Sequence, residues 1–342
     1  MFIKNAWYVA ALPDEVAAKP LGRTICGEKM VFYRAEAGRV AAVEDFCPHR
    51  GAPLSLGTVE DGKLICGYHG LTMGCDGKPA AMPNQRVQGF PSVKSYAVEE
   101  RYGFIWVWPG DREKADPALI HHLEWAENPK WAYAGGLYHI NCDYRLMIDN
   151  LMDLTHETYV HANSIGQKEI DESPVVTKLE GEHVMTSRFM EGIYAPPFWQ
   201  MALRMNNLAD DVPVDRWQIC HFHPPSHVLI EVGVAHAGHG GYQAPDKVKV
   251  GSIVVDFITP ETEVSHWYFW GMARDFKPDD QELTDRICEG QGKIFNEDRD
   301  MLEQQQQNLL RWPDRKILKL NIDAGGVQSR RVIDRLIEQS VV

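Results

Sequence analysis

Cys47-Pro48-His49 and Cys66-Gly67-Tyr68-His69 are two short arms separated by sixteen residues, and each holds one cysteine and one histidine. The alternation decides the reading. A Cys₂His₂ zinc finger groups both cysteines in one arm and both histidines in the other. Alternating arms instead let each loop offer one thiolate and one imidazole to a pair of metal ions. Gly51, Pro53, Gly57 and Gly70 punctuate the arms, as ligand-bearing loops at strand ends require.

Two thiolates on one iron and two imidazoles on its neighbour make a Rieske [2Fe–2S] cluster, and Cys47, His49, Cys66 and His69 suit it. Neutral imidazoles in place of anionic thiolates lower the charge on the cluster, so its potential lies above that of an all-cysteine ferredoxin. A structural zinc site built by chance from this spacing is the competing reading. The agreement of all four ligands with the turn residues between them favours the cluster.

The chain has 342 residues, which at ordinary domain sizes predicts two domains. With 44% hydrophobic and 24% charged residues it has the composition of a soluble globular protein. A net charge of −13 argues against nucleic acid, which needs a basic face. It is compatible with docking to a basic patch on a redox partner, although acidic balance serves solubility equally well. Of seven cysteines the cluster takes two. Cys26, Cys75, Cys142, Cys220 and Cys288 lack paired spacing and read as inert thiols in a reducing cytoplasm. The apolar run from Trp7 to Leu12 stops at Pro13, too short for a signal peptide. No segment approaches the roughly 20 apolar residues of a membrane span. The expected location is the cytoplasm, with no membrane partner.

The first third reads as strands and turns. Val31 to Arg34, Ala37-Gly38 and Val40 to Val43 form a hairpin leading into the first arm. Tyr102 to Trp108 is an apolar, aromatic strand ended by Pro109-Gly110. The polar stretch around Asp116-Pro117 then marks a boundary, dividing the chain into residues 1–118 and 119–342. Beyond it, strand-like runs (Val228 to Val234, Ser252 to Ile258, Trp267 to Trp270) mix with one helical motif, and Asp279 to about Leu310 is helical.

The helical motif is Asn150 to His161. His156 and His161 are five apart, which separates them by about 140° on a regular helix. Both reach one metal only if the helix bulges or ends between them. Asp153 lies one turn before His156 and is read either as orienting that imidazole or as a ligand itself. A third ligand emerges from periodicity in the C-terminal helix. With Asp298 at the origin, Leu283, Ile287, Ile294, Phe295, Met301, Leu302 and Leu309 fall within about 60° of it. Glu297 lies about 100° away and Asp300 about 160° away. A carboxylate inside an apolar stripe must be satisfied by a cation or an arginine, and the two histidines favour a metal. His156, His161 and Asp298 then make a 2-His-1-carboxylate triad, which leaves positions open on a non-haem Fe(II) for oxygen.

These motifs together resemble the oxygenase components of the Rieske non-haem iron oxygenases. Asn5 to Pro13, Asn150 to His156 and Gly326 to Arg331 are similar, more narrowly, to the vanillate O-demethylase family of oxygenase subunits, and the likeness runs essentially end to end. The resemblance implies an α+β fold class: an all-β N-terminal Rieske domain, then an α+β catalytic domain with an antiparallel sheet and iron-bearing helices. It implies a [2Fe–2S] cluster on Cys47, His49, Cys66 and His69, and mononuclear Fe(II) on His156, His161 and Asp298. It also implies O₂ as co-substrate and NADH as electron source through a separate reductase of the flavin and ferredoxin type. Asp153 matches a bridging aspartate between His69 of one subunit and His156 of the next, in a head-to-tail homotrimer. That arrangement serves metals too far apart within one chain for useful electron transfer. The implied reaction converts vanillate to protocatechuate and formaldehyde by hydroxylating the methoxy carbon. Related enzymes act on dicamba or other methoxy- or methyl-substituted aromatic acids, and no motif fixes which acid is bound. Arg330 and Arg331 are read as solvated, with carboxylate binding the alternative.

Overall fold

The computed structural model describes residues 1–162, 165, 166 and 168–340. Its N-terminal strands are β1 (Tyr8–Ala11), β2 (Leu21–Ile25), β3 (Glu28–Arg34), β4 (Val40–Glu44), β5 (Thr58–Glu60), β6 (Lys63–Ile65), β7 (Thr72–Met73), β8 (Pro79–Ala81), β9 (Ser95–Arg101) and β10 (Phe104–Trp108). They form a six-stranded sheet in the order β1-β10-β9-β4-β3-β2 and a four-stranded sheet in the order β5-β6-β7-β8. The expected hairpin is β3 and β4, paired antiparallel from Met30↔Glu44 to Arg34↔Val40.

All five residues of β10 are buried, so this strand packs on both faces. It starts two residues later than the sequence suggests. Tyr102 (φ 58°) and Gly103 (φ 80°) are instead the two-residue turn that joins Arg101 to its partner Phe104. Positive φ at both central positions matches the right-handed twist of the flanking strands.

After β10 come α1 (Glu124–Glu127), β11 (Ala132–Ile140), α2 (Tyr144–Leu151), α3 (Glu157–Val160), α4 (Lys168–Glu172), β12 (Val175–Glu180), β13 (His183–Ile193), α5 (Pro197–Met205), β14 (Val214–His223), β15 (His227–His236), β16 (Lys249–Thr262), β17 (Ser265–Arg274), α6 (Gln281–Arg311) and α7 (Ala324–Ser340). The strands form one seven-stranded sheet in the order β11-β17-β16-β15-β14-β13-β12. The three strand-like runs of the sequence lie in β15, β16 and β17. The fold is thus all-β followed by α+β, as expected. Two compact units result: Met1–His122 with Thr259–Glu263 and the C-terminal residues from Leu336, and Leu123–Ile258 with Val264–Arg335.

In the second unit α6 lies on the sheet. Asp280 caps its start by accepting from the Leu283 N–H at 3.0 Å. Phe295 packs edge-on to Tyr268, with centroids 5.2 Å apart, and Tyr138 donates its hydroxyl to the Gly292 carbonyl at 3.1 Å. A Cβ at Gly292 would stand 3.0 Å from that hydroxyl and 3.1 Å from the Trp270 ring, so only glycine lets helix and sheet approach this closely. The buried stripe is narrower than the helical wheel suggests. Leu283, Ile287, Phe295, Asp298 and Leu302 are buried, whereas Met301 is exposed.

Candidate metal centres

Two loops of matching design carry the first centre. In one, between β4 and β5, the Cys47 N–H donates to the Ala52 carbonyl at 2.8 Å and the Gly51 N–H donates to the Cys47 carbonyl at 2.8 Å. In the other, between β6 and β7, the Cys66 N–H donates to Leu71 at 2.9 Å and the Gly70 N–H to Cys66 at 3.0 Å. Each loop turns back at a glycine with positive φ, 70° at Gly51 and 76° at Gly70, which a side chain disfavours. Cys47 and Cys66 are buried in a cluster with Leu64, Leu71 and Met73, and His49 and His69 are exposed. The two imidazoles meet with centroids 4.6 Å apart. Burial, reinforced by Cys66, pushes the Cys47 thiol above its usual range. A thiol so placed ionises readily only beside a cation, and paired inner sulfurs with outer nitrogens fit a mixed-ligand binuclear cluster.

The second centre lies in the other unit. His156 precedes and His161 follows the single turn of α3, so the helix ends where the second histidine begins and the rings converge. Their centroids are 5.2 Å apart. Asp298 Oδ1 lies 3.2 Å from His161 Nε2 and 3.6 Å from His156 Nε2, and one ligand atom from each residue falls within 4.8 Å of the others. Asp298 and His161 are buried, and Asn150 Nδ2 donates to Asp298 Oδ1 at 3.0 Å. Burial alone would depress the pKa of His161, but Asp298 and then Glu297 outweigh it and raise it. Two nitrogens and one carboxylate oxygen converging in a buried, anionic setting fit a divalent iron with open positions.

The outer nitrogen of His161 has a partner that the sequence does not name, and that of His156 meets a different atom of Asp153 than expected. Glu297 Oε2 lies 2.7 Å from His161 Nδ1, so this carboxylate orients the His161 imidazole. His156 Nδ1 lies 2.8 Å from the main-chain carbonyl of Asp153, whereas the Asp153 carboxylate stands 3.9 Å away. Asp153 is not helical. Its Oδ1 accepts from the N–H and the hydroxyl of Thr155, both at 2.7 Å, a local turn that competes with helix formation. Arg330 also departs from expectation. It grips Asp149 on α2 with Nε at 2.9 Å from both oxygens and Nη2 at 2.6 Å from Oδ2, tying α7 to α2. Arg331 is exposed.

A cavity of about 90 Å³ adjoins the triad, lined by apolar Ile230, Val232, Val254 and Phe295 and by polar Gln218 and Gln291. Gln218 donates to the buried Glu157 at 2.7 Å. On the same face of the sheet Asp256 is fully buried and accepts the Tyr268 hydroxyl at 2.6 Å. Burial, with Asp298 adding to it, pushes the Asp256 carboxyl up to about 8, which favours its neutral form. Neither Asp256 nor Glu157 stands out in the sequence, because each draws its meaning from a partner on a strand elsewhere in the chain, Tyr268 for Asp256 and Gln218 for Glu157.

A fold with two such centres defines a class: oxygenases that pair an iron–sulfur cluster with a mononuclear iron. The Rieske [2Fe–2S] domain family matches residues 6–97 and the vanillate O-demethylase oxygenase C-terminal domain family matches residues 140–339. The chain is 78% identical to a vanillate O-demethylase oxygenase subunit of a Pseudomonas species, over 98% of this chain and 95% of that one. It is 36% identical to the oxygenase component of dicamba O-demethylase from Stenotrophomonas maltophilia, over 88% and 87% of the two chains. The crystal structure of dicamba monooxygenase bound to 3,6-dichlorosalicylic acid superposes with a TM-score of 0.91 at 33% identity, covering 100% of this chain and 99% of that one. The chain belongs to the vanillate O-demethylase oxygenase family of Rieske non-haem iron oxygenases. As such it carries a Rieske cluster and a mononuclear iron and draws electrons from NADH through a separate reductase.

Proposed function

We propose that this chain is the terminal oxygenase of a vanillate O-demethylase. The observation that carries the substrate is the 78% identity to a vanillate O-demethylase oxygenase subunit over nearly the whole chain. In this reading residues 1–118 hold the cluster through Cys47, His49, Cys66 and His69, and residues 119–342 hold iron through His156, His161 and Asp298. The balanced reaction is vanillate, O₂, NADH and a proton giving protocatechuate, formaldehyde, NAD⁺ and water. One oxygen atom enters a methoxy C–H bond, and the resulting hemiacetal loses formaldehyde to leave the phenol. When bound, the two metal centres supply single-electron transfer and oxygen activation.

The chain's own residues supply position and environment. Glu297 and the Asp153 carbonyl set the angles of the two imidazoles, and Asn150 holds the Asp298 carboxylate. The apolar walls of the cavity exclude water from an aromatic ring whose methoxy group faces the triad. Asp153 is the electron bridge of a head-to-tail homotrimer, accepting from His69 of one subunit and lying against His156 of its own. The exposed His69 and the quarter-exposed Asp153 side chain support this role. Among the described residues no helix is long and apolar enough to cross a membrane. The five cysteines outside the cluster loops, Cys26, Cys75, Cys142, Cys220 and Cys288, are unpaired, which supports placement in the reducing cytoplasm.

The test is formaldehyde release from vanillate by the iron-loaded protein with a reductase and NADH. A panel of methoxy- and methyl-substituted aromatic acids runs beside it. Vanillate is expected to give the highest kcat/KM, with protocatechuate equimolar to formaldehyde. Higher kcat/KM on another acid would keep the oxygenase and replace its substrate.

A further inference from the structure

The face of the seven-stranded sheet turned away from the iron cavity carries three histidines in contact. Successive strand residues point to opposite faces. Gln218 lines the cavity, so His221 and His223 in the same strand point the other way. The β13–β14 register pairs Met185 with His221 and Val184 with Phe222, which brings His183 opposite His223. His183 Nε2 lies 3.0 Å from His221 Nδ1. The His183 and His223 rings stack with centroids 4.6 Å apart and planes 6° apart. One nitrogen from each of the three falls within 4.8 Å of the others, and all three residues are partly exposed, so a solvated ion has access.

A carboxylate stands behind this group. Glu231 on β15 places Oε1 at 3.3 Å from His221 Nε2 and accepts the Tyr242 hydroxyl through Oε2. Glu231 thus stands on the outer nitrogen of His221, and the inner Nδ1 is the one that faces His183. A carboxylate on the outer nitrogen is the usual device for orienting a metal-ligating imidazole. Burial and then the neighbouring His221 lower the pKa of His183. Neutral rings are the ligating form. A His-x-His pair on one strand with a third histidine from its neighbour offers three nitrogens on one face; rotation of the stacked rings brings their in-plane lone pairs to one ion, and water can fill a fourth position.

We propose that His183, His221 and His223 bind a second kind of metal, zinc or a divalent transition ion of similar preference, with Glu231 positioning His221. The site shares no residue with the iron triad, so it stands or falls separately from the substrate reading.

Equilibrium dialysis of the iron-loaded enzyme against micromolar zinc chloride, followed by elemental analysis, tests it. About one zinc per chain is expected at this three-histidine site, with the iron content unchanged. His183→Gln and His223→Gln are expected to abolish that uptake while keeping the visible spectrum of the cluster and the melting temperature of the zinc-free protein. Glu231→Gln is expected to weaken zinc binding by about 10-fold to 100-fold. Crystals soaked in zinc should give an anomalous peak among the three rings. The proposal is overturned if the wild type takes up no zinc, if uptake is unchanged in the His183→Gln/His221→Gln/His223→Gln protein, or if each zinc gained costs an iron lost.

Discussion

Asp298 is a buried carboxylate on the apolar face of α6. A carboxylate within an apolar helical stripe conflicts with its surroundings unless a cation meets it, and the structure brings two imidazoles to within 3.2 and 3.6 Å of it. Glu297 sits off that stripe, and its partner His161 belongs to a segment 136 residues away. No helical wheel contains that contact. Asp298→Ala is therefore expected to empty the mononuclear site while sparing the cluster spectrum, and Asp300→Ala to change neither. Glu297→Ala should weaken iron retention by about 10-fold to 100-fold, since an outer carboxylate orients the ligand ring without binding the metal. Acid acts through the same ring. The His161 pKa is raised in the iron-free site, so a proton competes with iron from above the ordinary histidine value downwards. In the iron-free protein that proton stabilises the fold below about pH 6.5, and the gain is lost as pH rises through the raised value. Iron retention runs the opposite way, falling as pH is lowered. Iron analysis after dialysis at pH 8 and pH 6 checks the sign.

At the scale of elements, repetition and alternation were legible, and departures from regular geometry were not. The two candidate cluster loops stand out because each Cys/His pair is followed by a glycine at positive φ, and β3, β4 and β15 to β17 follow from apolar runs between turn residues. α5 has no counterpart in the sequence analysis; it opens on Pro197, and proline suits the first helical position. The segment from Asn150 to His161 looks helical throughout, but α2 stops at Leu151 and α3 is a single turn. The cause is Asp153, whose carboxylate takes the Thr155 N–H and hydroxyl and bends the chain so that His156 and His161 can converge. Two substitutions separate that role from electron relay. Asp153→Ala removes the turn acceptor and should lower both iron content and turnover. Asp153→Asn keeps an oxygen to accept from Thr155 while removing the charge that favours a bridging N–H donor. Both centres should load in the Asn variant and the cluster should reduce normally, while turnover collapses and re-oxidation of the cluster by oxygen with substrate slows by a comparable factor. Equal iron loss in both variants would leave Asp153 a structural residue only.

For the whole molecule, sequence length and motif order point to two metal-bearing units, but assembly is legible only through what each unit leaves exposed. His69 is exposed on one, and the Asp153 side chain is a quarter exposed on the other. A heterologous contact that joins such unlike patches closes into a ring when the rotation between subunits permits. If electrons cross that contact, two kinds of inactive chain should repair each other. A chain with His69→Ala has no working cluster but keeps Asp153 and the iron triad. A chain with Asp153→Asn keeps its cluster but cannot receive electrons. In a mixed ring the cluster of the second chain can stand beside the intact catalytic unit of the first, and formaldehyde release from vanillate should recover to a fraction of wild type. Differently tagged chains, co-expressed and purified through both tags, give rings of verified mixed composition. Each variant alone sets the baseline. Recovery above that baseline requires transfer between subunits, because neither chain contains a complete path. Mixed rings that contain both chains and both metals yet stay at the baseline would confine the electrons to one chain, and the head-to-tail relay would have to be abandoned.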